Sequence, residues 1–137
     1  MMEEKQINGM KLPTMLAQAI ADGTWLTPDK HWKNVFPTDV VVYPELYNFN
    51  FMCKVNDTWL KESRPEFLGV ADDRAIPGEL IPNRSLLIGE LQGDDLIALD
   101  YQNSTDNPSV VYLNPEGRWE IVANDFDQFW CKLLGVV

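Results

Sequence analysis

Four short runs rich in aliphatic and β-branched residues follow one another between positions 85 and 123, and they constrain the fold more than any other feature. The runs are SLLIGEL, DLIALDY, SVVYLN and WEIVA, and the segments between them (QGD, NSTDNP and NPEG) are composed of turn residues. Consecutive strands joined by short turns form an antiparallel meander. The C-terminal part of the chain is therefore predicted to be an antiparallel sheet.

A helix is predicted on each side of these strands. The apolar residues of LPTMLAQAIADG recur at i, i+3, i+4, i+7 and i+8, with Pro13 in the first turn and Gly23 just past the end. The closing NDFDQFWCKLLG has the same spacing, with Asn124 or Asp125 as cap and Gly135 after the last turn. Helices at both ends of a mostly antiparallel sheet predict an α+β fold. A chain of 137 residues fits one domain, residues 1–137.

The middle of the chain, residues 36–85, carries weaker signals. DVVVYP is predicted to be a short strand ended by Pro44, and AIPGELIPN a loop, because proline and glycine interrupt it. Ahead of this region, TPDKHW resembles a helix start with Thr27 as cap. ELYNFNFMCKVNDTWL is apolar and aromatic without a clean period, so helix and strand both remain open there.

The predicted core follows from these periodicities. Truncating a buried member to Ala should cost about 2–5 kcal/mol. The assigned residues are Leu12, Met15, Leu16, Ile20, Leu96, Ile97, Val111, Ile121, Phe126, Phe129 and Trp130.

The formal net charge is -10 and is unevenly distributed. Residues 69–137 hold twelve Asp and Glu against four Lys and Arg, a balance of -8, whereas residues 1–68 hold nine against seven, a balance of -2. An acidic half repels phosphate backbones, so nucleic-acid binding is not expected. It attracts a basic protein, although acidity also serves solubility alone. Charge therefore leaves a protein partner and simple solubility as alternatives.

The stretch LLIGELQGDDLIALD contains four carboxylates, which are interpreted either as an acid/base or metal site or as acids beside a turn. Asp95 and Asp100 differ by five positions on one strand and point to opposite faces, while Asp94 and Asp100 lie about 20 Å apart. Glu90 and Asp94, on either side of the turn, are the pair that can readily approach each other. A turn that requires Gly and Asp explains them without catalysis. We therefore interpret the stretch as strand–turn–strand, with a hydrolase using Glu90 and Asp94 as the less favoured alternative.

Other signatures of catalysis or cofactor binding are missing from the sequence. It contains no GxGxxG, P-loop or HExxH motif, and its one histidine, His31, has no Ser or Cys in a nucleophile context. Cys53 and Cys131 lie far apart without a CxxC spacing, which predicts buried, reduced thiols rather than a zinc site. We expect neither catalytic activity nor a metal or other cofactor.

The N-terminus and the apolar runs of the sequence bear on localisation. MMEEKQINGM has no basic or apolar signal-peptide region, and no apolar run approaches ~20 residues, so a cytoplasmic protein without membrane contact is expected.

Trp119 and Trp130 are predicted to pack in the core. Trp25 and Trp32 flank a Pro-containing segment, where they are either partly exposed anchors for a protein partner or a second small core cluster.

Three stretches together resemble the SUKH superfamily, which includes fungal cell-wall-synthesis regulators and bacterial immunity proteins. Leu12–Pro13 followed by a Gly–x–Trp stretch is similar to the family's first helix start. LLIGELQGDDLIALDY resembles the signature of an IG step, a Gly/Asp turn and a strand ending in LD, and VVYLNPEGRWEIVANDFDQFW resembles the closing strands and helix. The resemblance covers residues 12–25 and 84–134. The turn is less rich in glycine than is usual in the family, and only eleven residues precede Leu12.

This resemblance implies an α+β fold and a non-enzymatic binding role. Many bacterial members are similar to antidotes that block a toxin, commonly a nuclease, and a nuclease presents a basic groove. The residues predicted to contact such a partner are Glu90, Asp94, Asp95, Asp72, Asp73, Trp25 and Trp32. A regulatory scaffold of the same fold with several partners is the alternative, and a monomer is expected in both cases.

Overall fold

The computed structural model describes residues 5–26, 35, 44–62, 80–91, 95–114 and 117–135. Within these ranges the strands are β1 (Gln6–Ile7), β2 (Met10–Lys11), β3 (Pro44–Leu46), β4 (Ser85–Leu91), β5 (Asp95–Asp100), β6 (Ser109–Leu113) and β7 (Trp119–Ala123). The α-helices in the same ranges are α1 (Thr14–Asp22), α2 (Phe49–Glu62) and α3 (Phe126–Leu134), and a 3-10 turn at Pro82–Arg84 precedes β4.

The five larger strands form one antiparallel sheet in the order β3-β4-β5-β6-β7. The register pairs Leu86 with Leu99 and Leu99 with Val110, so that apolar rows run across the sheet. The predicted C-terminal meander is confirmed, and with helices before and after it the fold is α+β, as expected.

Both terminal helices end as local chemistry predicts, whereas Pro13 lies at the N-cap of α1 and not in its first turn. Gly23 and Gly135 have φ of 78° and 73°, the left-handed conformation that ends a helix and that residues with a Cβ rarely adopt. The side chain of Asp125 accepts a hydrogen bond from the backbone N–H of Gln128 at 2.8 Å, so Asp125 rather than Asn124 caps α3.

The ambiguous segment after Pro44 contains both a strand and a helix. Pro44 belongs to β3 rather than ending the predicted strand, and an edge strand accepts proline because it needs fewer ladder hydrogen bonds. The chain then turns at Asn48, whose Oδ1 accepts from the N–H of Phe51 at 2.8 Å, and α2 begins. Thr27, His31 and residues 36–43 and 63–79 lie outside the described residues.

A small hairpin, β1–β2, precedes α1 and was not predicted. Its turn is Asn8–Gly9, with φ of 54° and 80°, and this dipeptide is a strong hairpin signal in the sequence. The hairpin packs on α2, because the Asn8 Nδ2 donates to the Asn56 carbonyl at 3.0 Å and the Lys5 ammonium lies 4.4 Å from the centre of the Phe49 ring.

Most of the predicted core is buried in one cluster. Met15, Ile20 and Leu96 pack against that cluster at its margin and are half-buried. The prediction that Ile121 is a core residue is wrong, since 41% of its surface is exposed. It lies on the edge strand β7 beside a register irregularity at Val110–Val111, which breaks the inward–outward alternation. Trp119 and Trp130 are buried, as predicted.

Asn56, on α2, anchors that helix to β4. It is fully buried; its Nδ2 donates to the Leu87 carbonyl at 2.8 Å, and its Oδ1 accepts from the Leu87 N–H at 2.7 Å. The register of β4 shifts here, because Leu87 pairs with Ala98 whereas Gly89 pairs with Ile97. The amide of Asn56 therefore supplies hydrogen bonds to the backbone beside a β-bulge.

Candidate partner-binding surface

In the sheet formed by the described residues, the edge strand β3 and its neighbour β4 bring two carboxylates together. Glu45 on β3 lies directly opposite Glu90 on β4, so their side chains share one face of the sheet. Glu45 is exposed and Glu90 is half-buried. Like charges directly opposite each other on neighbouring strands destabilise a sheet. The pair therefore places two negative charges side by side at this edge of the described sheet.

Tyr47 joins this pair from the same strand region. It is buried, and its hydroxyl forms a side-chain hydrogen bond with Glu90. Burial raises the pKa of the Tyr47 phenol well above its ordinary value, and the charges of Glu90 and Glu45 raise it further. The phenol therefore stays protonated and donates to Glu90.

Two backbone contacts fix Tyr47, and Phe51 extends the surface outward. The Tyr47 N–H donates to the Ile88 carbonyl at 2.9 Å, and the Trp25 indole N–H donates to the Tyr47 carbonyl at 2.8 Å. The Phe51 ring meets the Tyr47 ring edge-on with centroids 4.9 Å apart, and 47% of Phe51 is exposed. We call Glu45, Tyr47, Phe51 and Glu90 the acidic edge.

The structure separates some of the predicted contact residues. Asp95 pairs with Leu91, one position away from the pairing of Glu90 with Leu96, so Asp95 and Glu90 project from opposite faces of the sheet. Asp95 is half-buried. Asp94, Asp72, Asp73 and Trp32 lie outside the described residues.

Trp25 is a core residue and not an exposed anchor. Only 1% of it is exposed, and its ring centroid lies 6.0 Å from that of Phe126 and 5.5 Å from that of Trp130. Of the two interpretations of this tryptophan, the small core cluster is the one observed. An anchor must reach the surface, so Trp25 does not contact a partner in this conformation.

Glu45 and Phe51 were missed by sequence reasoning. Their segment, PELYNFNF, has no single period, because a strand ends and a helix begins within it. The change of period between Leu46 and Phe49 is the signal that could have exposed them. A strand residue and a helix residue then meet beside the same tyrosine, which no sequence periodicity predicts.

Among the described residues, no three His, Cys, Asp or Glu side chains lie close enough together to hold a metal ion. Cys53 and Cys131 are free and half-buried, which corrects the expectation that both are buried. Asp94 lies outside the described residues, so the alternative that uses Glu90 and Asp94 stays a prediction, and Glu90 forms a hydrogen bond with Tyr47.

A buried carboxylate lies at the other end of β5. Asp100 is 4% exposed, and its Oδ1 accepts a hydrogen bond from the Gln102 N–H at 3.0 Å. Burial raises the pKa of the Asp100 carboxyl above its ordinary value, while the Gln102 hydrogen bond and the positive charge of Arg84 act in the opposite direction.

Comparison with known proteins gives one match. The model of the SMI1 / KNR4 family (SUKH-1) matches residues 4–132. No curated protein and no solved structure matches the chain. Within the described ranges, no helix is long and apolar enough to cross a membrane.

Proposed function

Since this chain belongs to the SMI1/KNR4 family (SUKH-1), we propose that it is a cytoplasmic, non-enzymatic immunity protein that binds and neutralises a basic toxin domain of the nuclease type. The SUKH family consists of immunity and regulatory proteins that interact with other proteins and are generally not catalytic. The family match over residues 4–132 is the observation that carries the proposal.

Charge supports a basic partner. The chain has a net charge of -10, and a nuclease must present cations to the phosphates of its substrate. Opposite charges on two proteins speed their encounter, and contacts between them weaken as salt rises. A folded acidic protein can therefore occupy a basic groove in place of nucleic acid.

The acidic edge is the place where we propose that the partner docks. Glu45 and Glu90, opposite each other on neighbouring strands, would receive a cationic side chain. Phe51 would supply the aromatic anchor that interfaces of about 1,200–2,000 Å² commonly use. Glu90 thus stays among the proposed contacts, with Asp94, Asp95, Asp72, Asp73 and Trp32 as further candidates.

The test is a pull-down from lysate and secreted fractions of the host, at low and high salt, followed by mass spectrometry and a nuclease assay. We expect a basic, salt-sensitive polypeptide whose nuclease activity falls when this protein is added. Recovery of several housekeeping proteins instead would favour the regulatory scaffold, for which the regulatory members of the family are the supporting observation.

Variants of the acidic edge test its part in binding. Phe51→Ala should weaken binding of the captured partner about tenfold or more, as loss of an anchor does. Glu45→Gln should slow association at low salt and have little effect at high salt. The matched control is Asp127→Asn, which removes an exposed carboxylate from α3. Equal affinities for Phe51→Ala, Glu45→Gln and the control would exclude the acidic edge, even if the partner itself were confirmed.

A further inference from the structure

A cleft of about 490 Å³ lies at the end of the sheet where β4 begins and β5 ends. Residues of the β1–β2 hairpin, the 3-10 turn and the loop after β5 line it, and it is open to solvent. Because β4 runs seven residues from this end to Leu91, the cleft lies roughly 20 Å from the far end of that strand. The lining residues are Gly9, Met10, Lys11, Asn83, Arg84, Tyr101, Thr105 and Asp106.

Two cations line this cleft in a chain whose net charge is -10. Lys11 comes from β2 and Arg84 from the 3-10 turn, so two separate segments bring positive charge to one place. Among the described residues that line the cleft, Asp106 is the one carboxylate, so these residues together carry a net positive charge. Asp100 lies near Arg84 but does not line the cleft, and its Oδ1 accepts from the Gln102 N–H.

Tyr101 holds both cationic segments in place. Its hydroxyl donates to the Lys11 carbonyl at 2.8 Å, and its N–H donates to the Arg84 carbonyl at 2.8 Å. The Arg84 guanidinium in turn donates to the Tyr101 carbonyl at 3.3 Å. Tyr101 is buried, and burial raises the pKa of its phenol, so the hydroxyl remains a donor. The cleft is thus preorganised before any ligand arrives.

Donors for a ligand remain available in the cleft. Among the described residues, Arg84 has no carboxylate at ion-pair distance, and its hydrogen bond to Tyr101 occupies one of five guanidinium N–H groups. The side chains of Asn83 and Thr105 form no hydrogen bond with any residue in the described ranges. A guanidinium fork, an amide and a hydroxyl are groups that bind phosphate or carboxylate oxygens.

We propose that this cleft binds a small anion, through a single phosphate or carboxylate group, with Lys11 and Arg84 supplying the charge and Asn83 and Thr105 supplying neutral hydrogen bonds. The volume suits a small molecule. The site is separate from the acidic edge and does not depend on the identity of a protein partner.

The test is a ¹⁵N-NMR titration of the whole chain with inorganic phosphate, and in parallel with acetate, at an ionic strength held constant with NaCl. We expect saturable shifts at Lys11, Arg84 and Thr105. Tighter binding of phosphate than of acetate would identify a phosphate site, and the reverse order a carboxylate site. Absence of saturable shifts with both anions would overturn the proposal.

Three variants are expected to weaken, strengthen and leave unchanged the binding of the anion. Arg84→Gln should weaken anion binding about tenfold or more, whereas Asp106→Asn should strengthen it several-fold because it removes the opposing charge. Arg118→Gln, in the loop before β7 and outside the cleft, should leave it unchanged. Equal weakening by Arg84→Gln and Arg118→Gln would indicate nonspecific charge attraction and overturn the proposal. If Arg84→Gln alters the fold, Lys11→Gln takes its place in the same comparison.

Discussion

At the residue scale, Asn56 shows how one polar side chain organises the core. Its amide provides both a donor and an acceptor to Leu87, 31 positions away, and a second donor contact to the Met52 carbonyl at 2.8 Å. A buried backbone group that loses its partner costs about 1–3 kcal/mol. The side chain of Asn56 therefore stabilises the fold more than its small size suggests.

We expect Asn56→Ala to lower the free energy of unfolding by about 3 kcal/mol, because the N–H and carbonyl of Leu87 lose this partner inside the protein. Urea denaturation monitored by circular dichroism measures this change. The matched control is Asn50→Ala, an exposed position on the same helix, which should change stability by less than about 0.5 kcal/mol. Similar losses in both variants would contradict the role given to the Leu87 contacts.

Asp100 makes stability depend on pH in an unusual direction. Its folded-state pKa is raised by burial, so between the ordinary carboxyl pKa and the raised value the folded state holds a proton that the unfolded state has lost. Stability therefore falls as pH rises through this window and stays lower above it. Most native carboxylates behave in the opposite way.

Asp100→Asn should accordingly raise stability at pH 7, since an amide oxygen can still accept from the Gln102 N–H without burying a charge. The advantage should shrink as pH falls from the raised pKa of the folded state to the ordinary carboxyl pKa, and it should stay small below that. Urea denaturation at a series of pH values measures it, with the exposed Asp106→Asn as control. A lower stability of Asp100→Asn at pH 7 would show that the charge is compensated in the folded state.

At the element scale, a glycine allows β3 to join the sheet. A Cβ atom at Gly89 would lie 2.9 Å from the Glu45 carbonyl oxygen, closer than real contacts allow. The bulge next to it turns Ile88 so that its carbonyl accepts from the N–H of Tyr47. The position of the acidic edge thus depends on Gly89 in a different strand.

We expect Gly89→Ala to displace β3 and to cost about 1–3 kcal/mol, the usual effect of overpacking. Hydrogen exchange should show faster exchange of the Tyr47 amide, with β6 and β7 amides little affected. Gly23→Ala is the control: its φ of 78° imposes a cost of about 1–2 kcal/mol, but its Cβ meets nothing. If both variants exposed Tyr47 to the same extent, the effect would be global and not local to β3.

At the scale of the whole molecule, Trp25 connects distant parts of the chain. It follows α1, packs on Phe126 and Trp130 of α3, and donates to the carbonyl of Tyr47. The N-terminal helix, the C-terminal helix and the edge strand region therefore meet at a single indole. Loss of the indole should therefore destabilise both helices and the edge strand region.

Trp25→Ala should lower the free energy of unfolding by about 3–5 kcal/mol, as truncation of a buried aromatic residue does. Its neighbour Leu26 is 53% exposed, so Leu26→Ala should change stability by less than about 0.5 kcal/mol. Thermal and urea denaturation compare the two variants. A small loss for Trp25→Ala would place this residue outside the cooperative core.

The sequence by itself determined the C-terminal meander, both terminal helices and the glycines that end them, because hydrophobic periodicity and turn chemistry depend on neighbouring residues. Asp125, Gly23 and Gly135 act within one helical turn. The Asn8–Gly9 turn was not predicted, although this dipeptide is a hairpin signal in the sequence. The residues from Glu45 to Phe51 were not, since two periods succeed each other within a few positions.

Only the tertiary structure decided which side chains meet and which stay exposed. It paired Glu45 with Glu90, buried Trp25, exposed Ile121 and closed the cleft with a contact from Tyr101 to Lys11, 90 positions apart. Such outcomes depend on how elements pack over long separations, and adjacent residues do not encode that packing. The physical reason is that burial and proximity belong to the assembled core, whereas secondary structure belongs largely to the local chain.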